Sequence, residues 1–350
     1  MGARKSISIK ELAALAGVSV GTVDRVIHQR GRVSDETRDK VQKLVLETGY
    51  QPKKSKVQPL RIGVLLPVPS SNPYWELPLE GVRERAKFLE NDGVSLTEFL
   101  YDYHSEEDFT SKGEAMLNAA VDGLIIHPIF RQATYQLVRN VRANNLPFVF
   151  LDVNLPELEP MYFVGQDAKS CGGLAGRLLS LGLGEEDRVW VINFSSASAN
   201  STSFLREIGA VDTLRENQLK NEQIRMLDFK RGTDEQKLQA QIKAEIEANG
   251  APSRVYVTNS RVKRIFDGLR ACGQTQKILI IGHDPLPENI KLLQDGDIDF
   301  LIAQDSKRQG ALALEGLHIH LTDRVLFEKE SHICSMVYSK ENINSIRYFH

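Results

Sequence analysis

The sequence predicts an α/β protein in which a small all-α domain precedes a two-lobed, Rossmann-like core. Three observations support this fold class. Apolar residues recur at helical spacing up to about residue 48, short apolar runs alternate with helical segments from Leu60 onward, and a Lys- and Pro-rich stretch separates the two regions. With 350 residues, 41% of them hydrophobic and 26% charged, the chain is long enough for two or three domains with cores of ordinary size.

Two short helices joined by a tight corner are predicted near the N-terminus. Ile9 to Ala16 has helical periodicity, and Ser8 lies at the N-cap position, three residues before a glutamate. Gly17 is suited to end this helix because glycine adopts positive φ without steric cost. Ser19 is the expected N-cap of a second helix, and a third helix is predicted from about Ser34 to Thr48.

The second helix has the features of a DNA-reading helix. Its expected outward face includes Arg25, whose guanidinium can donate two hydrogen bonds to a guanine edge in the major groove. Residues 1 to 60 hold 12 Lys+Arg and 6 Asp+Glu, a formal charge of +6, whereas the other 290 residues hold 32 and 40, a charge of −8. This asymmetry suits phosphate binding by the N-terminal domain alone. The alternative is a helical hairpin that packs against another part of the protein. The candidate DNA contacts are Ser19, Val20, Gly21, Thr22, Arg25, His28, Ser34 and Thr37.

The segment IKELAALAGVSVGTVDRVIHQRGRVSDETRDKVQKLVLETGYQP resembles the headpiece of the LacI/GalR family of transcriptional regulators. The likeness includes A-x-x-A-G-V-S, T-V-x-R-V, R-V-S-x-E-T-R and the closing G-Y-x-P. It implies a helix-turn-helix domain at residues 1–50 that binds a palindromic double-stranded DNA operator as a homodimer or a higher oligomer. A repressor-like protein that has lost operator binding is an alternative.

Residues 51–61 are predicted to form a short linker, because Pro52 and Pro59 prevent a continuous helix. In the family, the corresponding segment is longer and contains an Ala-Arg-x-Leu hinge helix whose leucine enters the minor groove. No such leucine is evident here, since Leu60 already borders the next strand. We therefore expect little kinking of the operator.

From residue 62 the predicted elements alternate between strands and helices, which indicates two parallel α/β lobes. The first lobe is assigned to about residues 62–165 and 305–330, the second to about 166–304, and the segment 331–350 is expected to return across the lobes. The runs DFLIAQDSKRQGALALEGLHIHL and SHICSMVYSKENI are interpreted as returns to the first lobe. The predicted strands are 60–67, 94–103, 121–128, 147–153, 161–167, 188–194, 224–229, 254–259 and 277–284, and the predicted helices are 79–91, 109–120, 132–143, 168–181, 204–217, 234–248 and 262–271.

This arrangement resembles a type 1 periplasmic binding protein from about Ile62 to the end of the chain. In open α/β sheets, ligands bind beyond the carboxyl ends of the strands. Asn72-Pro73-Tyr74-Trp75 is similar to the family's N-P-aromatic-aromatic segment. Taken singly, each candidate also has a plain structural explanation, as a core aromatic, a cap or turn residue, or a surface arginine. The resemblance implies the ligand-binding residues Asn72, Tyr74, Trp75, Asp152, Arg206, Phe229, Asn259, Asp284 and Gln304.

This set of side chains suits a neutral polyol. Carboxylates, amides and a guanidinium pair with hydroxyls, each of which both donates and accepts, and aromatic walls cover the apolar face of a sugar ring. We therefore expect the small-molecule effector to be a sugar or sugar derivative, with a purine as the alternative. In pentose-binding relatives an arginine follows the Asp152 position, whereas this chain has Val153, which favours a hexose or substituted sugar over ribose.

Other function classes lack support in the sequence. There is no dinucleotide, phosphate-loop or hydrolase-elbow motif, and the neighbours His283 and Asp284 would point in opposite directions on a strand, so no enzyme, cofactor or metal site is predicted. Cys171, Cys272 and Cys334 are far apart and are expected to be reduced thiols. No membrane span or signal peptide is evident. The expectation is a cytoplasmic regulator, and the alternatives are a transporter's solute-binding protein or a sugar- or nucleotide-converting enzyme.

Overall fold

The chain divides into two compact units, residues 1–58 and residues 59–350. The DNA-contact candidate His28 and most of the predicted linker lie outside the described residues. The computed structural model describes residues 7–27, 33–48, 50, 59–195, 202–230, 232–274, 276–323 and 330–344.

The N-terminal unit contains, in its described residues, the helices α1 (Ile9–Ala16), α2 (Val20–Ile27) and α3 (Asp35–Thr48). The Ser8 N–H donates to the Glu11 carboxylate (2.7 Å) and the Ser8 hydroxyl accepts from the Glu11 N–H (3.3 Å), which confirms the predicted N-cap. Gly17 has a φ of 67° and ends α1 in the left-handed region, as predicted. Ser19 caps α2 by accepting a hydrogen bond from the Thr22 N–H (3.1 Å).

The three helices enclose a small apolar core. Leu12, Val23 and Val41 are fully buried, one from each helix, and Tyr50 is buried after α3. Burying an aliphatic side chain of this size stabilises a fold by about 1.5–3 kcal/mol. This core therefore fixes the angle between α1 and α2.

The second unit contains two α/β lobes. The first lobe begins with β1 (Leu60–Pro67), α4 (Glu76–Phe88), β2 (Val94–Tyr101), α5 (Glu106–Asn118), β3 (Gly123–Ile126), α6 (Arg131–Ala143), β4 (Phe148–Leu151) and β5 (Tyr162–Gln166). The second lobe continues with α7 (Ala168–Ser180), β6 (Val189–Ser195), α8 (Thr202–Glu216), β7 (Ile224–Lys230), α9 (Glu235–Asn249), β8 (Arg254–Val257), α10 (Val262–Ala271), β9 (Leu279–His283), α11 (Pro287–Asp295) and β10 (Phe300–Ala303). The last elements are α12 (Ser306–Asp323), β11 (Glu330–Ile333) and β12 (Met336–Tyr338).

Each lobe is organised around one sheet. Among the described residues, the first sheet has the strand order β11-β5-β4-β3-β1-β2 and the second has the order β12-β10-β9-β8-β6-β7. Neighbouring strands are parallel except for β10 and β12. Val64, Leu65 and Leu66 are fully buried in a row, as expected for a parallel strand that helices cover on both faces. Because the two orders follow the same pattern, β4 and β9 occupy equivalent positions.

The described chain passes between the lobes at three places. The first crossover, residues 166–167, joins β5 to α7; the second, residues 304–305, joins β10 to α12; and the third, residues 334–335, joins β11 to β12. Helix α12 follows a second-lobe strand but packs against α4, β5, β4 and β3 of the first lobe. The second lobe is therefore inserted between parts of the first.

Two segments differ from the sequence prediction. The run DFLIAQDSKRQGALALEGLHIHL is interpreted as a return to the first lobe, with the lobe boundary at residue 304; β10 pairs with β9 in the second sheet, and the return begins at α12. The final run is divided, since β11 pairs with β5 in the first sheet and β12 pairs with β10 in the second. The reason is that an apolar run predicts a strand but does not indicate which sheet that strand joins. Helix α11, with Pro287 in its first turn, is also absent from the prediction.

Glycines allow very close contacts between two pairs of helices. A Cβ at Gly172 on α7 would lie 1.9 Å from the Arg206 carbonyl oxygen on α8, and a Cβ at Gly81 on α4 would lie 1.8 Å from the Lys307 carbonyl oxygen on α12. Any side chain at these positions would separate the helices. The contact between α7 and α8 therefore fixes the backbone of Arg206.

Candidate ligand cleft and DNA-contacting surface

A cavity of about 100 Å³ lies at the carboxyl ends of the strands, with walls from both lobes. The first-lobe wall is formed after β1, β2, β3 and β4, and the second-lobe wall comes from α8 and from the segments after β8, β9 and β10. Of the nine predicted ligand residues, Phe229 is the one that does not line this cavity. The predicted residues that do line it are Asn72, Tyr74, Trp75, Asp152, Arg206, Asn259, Asp284 and Gln304.

The first-lobe wall is aromatic. Tyr74 and Trp75 meet edge to face with ring centroids 5.2 Å apart, and the Trp75 ring lies 4.2 Å from that of His127. Tyr103 stacks near His127, with an interplanar angle of 19°. The side chain of Asn72 accepts a hydrogen bond from the Tyr74 N–H (3.3 Å), which orders the turn after β1. Trp75 is 1% exposed and belongs to the first-lobe core, so it is a core residue that also lines the cavity.

Two aspartates occupy equivalent positions in the two lobes. Asp152 follows β4 and Asp284 follows β9, and both have left-handed backbones, with φ values of 70° and 62°. The Asp152 N–H donates to the Val164 carbonyl (2.9 Å) and the Asp284 N–H to the Ile302 carbonyl (3.1 Å). These bonds hold an unfavourable conformation that aspartate tolerates better than most residues. Both carboxyl groups consequently line the cavity, one from each lobe.

The two carboxyl groups are poorly solvated. Burial raises the pKa of Asp152 to about 6, against the effect of Arg206 and with a further contribution from Asp284. Burial also raises the pKa of Asp284, again against Arg206. The Tyr74 hydroxyl donates to Asp152 Oδ1 (3.2 Å), and burial raises the pKa of that tyrosine well above its usual value. Ligand hydroxyls that donate hydrogen bonds to these two carboxyl groups would therefore stabilise their charged forms.

Arg206 connects several strand ends from the start of α8. Its Nη1 donates to the Thr258 carbonyl (3.0 Å), and its Nη2 donates to Gln166 Oε1 (2.8 Å) and Gln304 Oε1 (3.3 Å). Gln304 in turn donates from Nε2 to Asp284 Oδ1 (3.0 Å). Arg206 is 3% exposed, so its interpretation as a solvated surface residue is wrong.

Phe229 and His283 face the interior of the second lobe. Phe229 is buried in the second-lobe core, with its ring 5.8 Å from that of Phe194, and is not a wall of the cavity. The prediction is wrong because β7 is an edge strand whose last apolar residue packs on the core. His283 Nε2 lies 2.7 Å from the Tyr256 hydroxyl in the buried interior, so His283 and Asp284 do point in different directions.

Further residues line the cavity without having a predicted role. Tyr103 and His127 follow β2 and β3, so the rule that ligands bind at strand ends could have found them. Arg131 at the start of α6, Thr202 at the start of α8 and Arg261 before α10 also line it, and no sequence pattern marks them.

The cavity suits a small, neutral ligand with many hydroxyls and an apolar face. It combines carboxylate acceptors, amide groups that both donate and accept, and aromatic rings. In the described ranges, no group of three His, Cys, Asp or Glu side chains is arranged to hold a metal ion. None of the helices described has the length and apolar character needed to cross a membrane.

The candidate recognition helix exposes the predicted face. Val20 is 40% exposed, and Gly21 and Arg25 are exposed as well, whereas Val23 and Val26 are buried in the core. The Arg25 Nε donates to the Gly21 carbonyl (3.1 Å), which places the side chain along the N-terminal half of α2. This is the half of a recognition helix that contacts base edges.

The remaining described candidates for DNA contact form two hydroxyl pairs. Ser19 Oγ lies 2.9 Å from Thr22 Oγ1 at the start of α2, and the Ser34 hydroxyl donates to Thr37 Oγ1 (2.8 Å) at the start of α3. Hydroxyls and N–H groups at helix N-termini are common phosphate ligands. Both pairs therefore lie at helix N-termini, which is the position from which such groups bind phosphate.

Comparison with known proteins covers both units. Residues 62–324 match the family model described as a periplasmic binding protein domain, and residues 8–53 match the model described as bacterial regulatory proteins, lacI family. The chain is 29% identical over 164 residues to the HTH-type transcriptional regulator MalR of Streptococcus pneumoniae, covering 44% of this chain and 48% of MalR. It is 30% identical over 226 residues to the sucrose operon repressor of Lactococcus lactis, covering 63% of this chain and 66% of that repressor.

The chain spans about half the length of the first curated relatives that it matches. Its fold is also similar to that of GanP, a glucose-galactose binding protein from Geobacillus stearothermophilus, with a TM-score of 0.71 and 22% identity over 81% of this chain and 99% of GanP. The matched family model covers both lobes and the cleft between them. The chain therefore belongs to the periplasmic binding protein domain family, and it carries in front of that domain the helix-turn-helix headpiece of the lacI family of bacterial regulatory proteins.

Proposed function

We propose that this protein is a cytoplasmic transcriptional regulator that binds a palindromic operator as a homodimer and changes its DNA affinity when a sugar binds in the cleft. The observation that carries the proposal is the presence in one chain of a lacI-family headpiece and a two-lobed unit with a polar cleft. A solute-binding protein needs only the second of these units.

The headpiece supplies the chemistry for DNA. Arg25 on α2 can pair with a guanine, and the positive charge of residues 1 to 60 can neutralise phosphates. A homodimer presents two such helices, which matches two half-sites about one helical turn apart. Binding should consequently weaken steeply as the salt concentration rises.

The cleft supplies the chemistry for a sugar. The carboxyl groups of Asp152 and Asp284, one from each lobe, can accept hydrogen bonds from hydroxyls. Tyr74, Trp75 and Tyr103 line the first-lobe wall, and an aromatic wall suits the apolar face of a pyranose ring. Among the relatives is a sucrose operon repressor, and GanP binds glucose and galactose, which supports the same ligand class here.

Ligand binding is tested first, by thermal unfolding of the full chain with D-glucose, D-galactose, D-ribose, sucrose, myo-inositol, adenine and guanine. A ligand that binds only the folded state raises the unfolding midpoint. We expect a sugar to do so, and expect Asp284→Ala to lose the effect, since hydrogen bonds to a charged group contribute about 1.5–3 kcal/mol each. Asp295→Ala, at an exposed position on α11, is the matched control.

Operator binding is tested next, by selection from a library of palindromic duplexes and fluorescence anisotropy with and without the sugar that gives the largest shift. We expect one class of duplex to be enriched and its affinity to change at least about tenfold with the sugar, a coupling of about 1.4 kcal/mol. Sugar binding without any enriched duplex would identify a sugar-binding protein that does not read DNA. Purine binding with every sugar failing would overturn the sugar effector.

A further inference from the structure

Four hydrogen-bonded side chains, which we call the crossover network, link the cleft to all three crossovers. Gln166 is at the first crossover, Gln304 at the second and Ser335 at the third. Gln166 Nε2 donates to Ser335 Oγ (2.8 Å), and Gln166 Oε1 accepts from Arg206 Nη2 (2.8 Å). The same Arg206 nitrogen donates to Gln304 Oε1 (3.3 Å). The network consists of Ser335, Gln166, Arg206 and Gln304.

Gln166 differs from the two network members that line the cavity, Arg206 and Gln304. It is 4% exposed and is not among the described residues of the cavity wall. Both ends of its amide are engaged, the oxygen with Arg206 and the nitrogen with Ser335. A buried amide without these partners would be costly. The Gln166 side chain therefore links Arg206 to Ser335.

Turning one lobe relative to the other must alter the crossover network. Three of its members lie at three separate crossovers and the fourth, Arg206, lies on α8 of the second lobe, so a turn of one lobe changes the distances between them. Hydrogen bonds weaken steeply with distance and angle. A ligand oxygen that accepts from Arg206 competes most easily with the longest bond, the 3.3 Å contact to Gln304, and leaves the 2.8 Å bond to Gln166 in place. Ligand binding would thus favour one lobe angle over another, which is the differential interaction that a switch requires.

We propose that Gln166 is a positioning residue that transmits effector binding to the third crossover, by holding Arg206 with its carbonyl oxygen and Ser335 with its amide nitrogen. This inference rests on the proposed function, because it needs a sugar that occupies the cleft and changes operator affinity. The proposal assigns a different role to each of the two hydrogen bonds of Gln166. The bond to Arg206 is needed for sugar affinity, and the bond to Ser335 is needed for the response of the DNA-binding unit.

Three variants separate these two bonds. Gln166→Leu removes both, and sugar affinity should fall about tenfold, the equivalent of one net hydrogen bond. Gln166→Glu keeps an acceptor for Arg206 and offers a carboxylate oxygen to which the Ser335 hydroxyl can donate, so it is the conservative variant and should keep both the sugar affinity and the response. Ser335→Ala removes only the bond between Ser335 and Gln166 and should bind sugar within about threefold of the parent, less than 1 kcal/mol. In all three, operator affinity without sugar should equal that of the parent.

The measurements use the full-length protein with D-glucose, D-galactose and sucrose as probes. Calorimetry gives the sugar affinity, and anisotropy on the selected operator gives the change in DNA affinity. In Ser335→Ala, the sugar should change operator affinity by less than about a third of the parent's fold-change, well under the tenfold coupling expected of the parent, whereas Gln166→Glu should keep the parent's response. Ser180→Ala loses a 2.7 Å hydrogen bond inside α7, far from the crossovers, and is the matched control.

Backbone hydrogen exchange separates transmission from a local structural role. In the sugar-bound Ser335→Ala variant, exchange should rise at residues 205–207 of α8 as well as at 333–336, whereas a local role would be confined to β11 and to β5, with which it pairs. A Ser335→Ala variant with the parent's sugar response, or a Gln166→Leu variant with the parent's sugar affinity, would overturn the role of Gln166. Should Gln166→Leu fail to fold, Ser335→Ala decides. A parent that binds none of the probes, or whose operator affinity ignores them, would instead mark the failure of the proposed function, and this inference would fall with it.

Discussion

Replacing Asp152 by asparagine should stabilise the ligand-free protein near neutral pH. The unfolded chain ionises this side chain at about pH 3.9, whereas burial in the folded protein raises its pKa to about 6. Between these values the folded state binds more protons than the unfolded state, so stability falls as the pH rises through 6. A difference of about two pKa units corresponds to about 3 kcal/mol, and at about pH 8 all of it opposes folding.

Asparagine removes this cost and keeps the local geometry. The Tyr74 hydroxyl, which donates to Asp152 Oδ1, can donate to the amide oxygen in the same way, and asparagine readily adopts a φ of 70°. We expect the free energy of unfolding of the variant to exceed that of the parent by up to about 3 kcal/mol near pH 8 and to equal it near pH 4. It should bind sugar more weakly, because a charged acceptor has been replaced by a neutral one.

Urea unfolding at several pH values, followed by tryptophan fluorescence, measures this difference. Trp75 lies in the first-lobe core and Trp190 in the second-lobe core, so both lobes are observed. Asp284 is present in both proteins, and because its charge contributes to the raised pKa of Asp152, part of the difference in stability comes from the repulsion between the two carboxylates. Asp295→Asn, on the exposed face of α11, removes only a surface ion pair with Lys291 and should change the free energy of unfolding by no more than about 0.5 kcal/mol. A less stable Asp152→Asn protein at about pH 8, or a difference independent of pH, would refute the reasoning.

The remaining predictions concern DNA contact, helix packing and the linker. Arg25→Ala should abolish specific operator binding in a gel-shift assay, and retained specificity would contradict its assignment to a base edge. Gly172→Ala should lower the free energy of unfolding in urea by about 1–3 kcal/mol. It should also weaken sugar binding by moving Arg206, because the new Cβ would lie 1.9 Å from the carbonyl oxygen of that residue. Gly173→Ala is the control and should be nearly neutral, since its nearest contact would be at 3.1 Å. Gly-Ser residues inserted between Lys56 and Pro59 should preserve operator binding but blunt its response to sugar, as measured by anisotropy, and an unchanged response would count against coupling through headpiece spacing.

The order of strands and helices could be predicted because apolar periodicity and turn residues are local properties of the sequence. Helix α10 begins at Val262 and ends at Ala271, as predicted. Helix α4 begins at Glu76, earlier than predicted, because the preceding turn at Pro73–Trp75 leads directly into it. The sheet that β12 joins could not be predicted, since strand pairing depends on distant residues.

The cleft was predictable to the extent that its residues follow strands. Asn259 and Asp284 end neighbouring strands, so they were expected to lie together, and both line the cavity. Phe229 also ends a strand, but Phe194 on the adjacent strand provides a core contact that the sequence does not reveal. Gln166 could not be singled out, because its importance depends on a bond to Ser335, which is 169 residues away.

The interruption of the first lobe by the second has a consequence for synthesis of the protein. The N-terminal unit ends by residue 58 and can fold while most of the chain is still unmade. The first sheet cannot be completed then, because β5 pairs with β11, and α12 covers the same lobe from beyond the second crossover. Such distant pairings form slowly. Each nascent chain therefore passes through a period in which its headpiece is finished but its two-lobed unit is not. Until residue 330 has emerged from the ribosome, the edge of β5 is open to wrong partners.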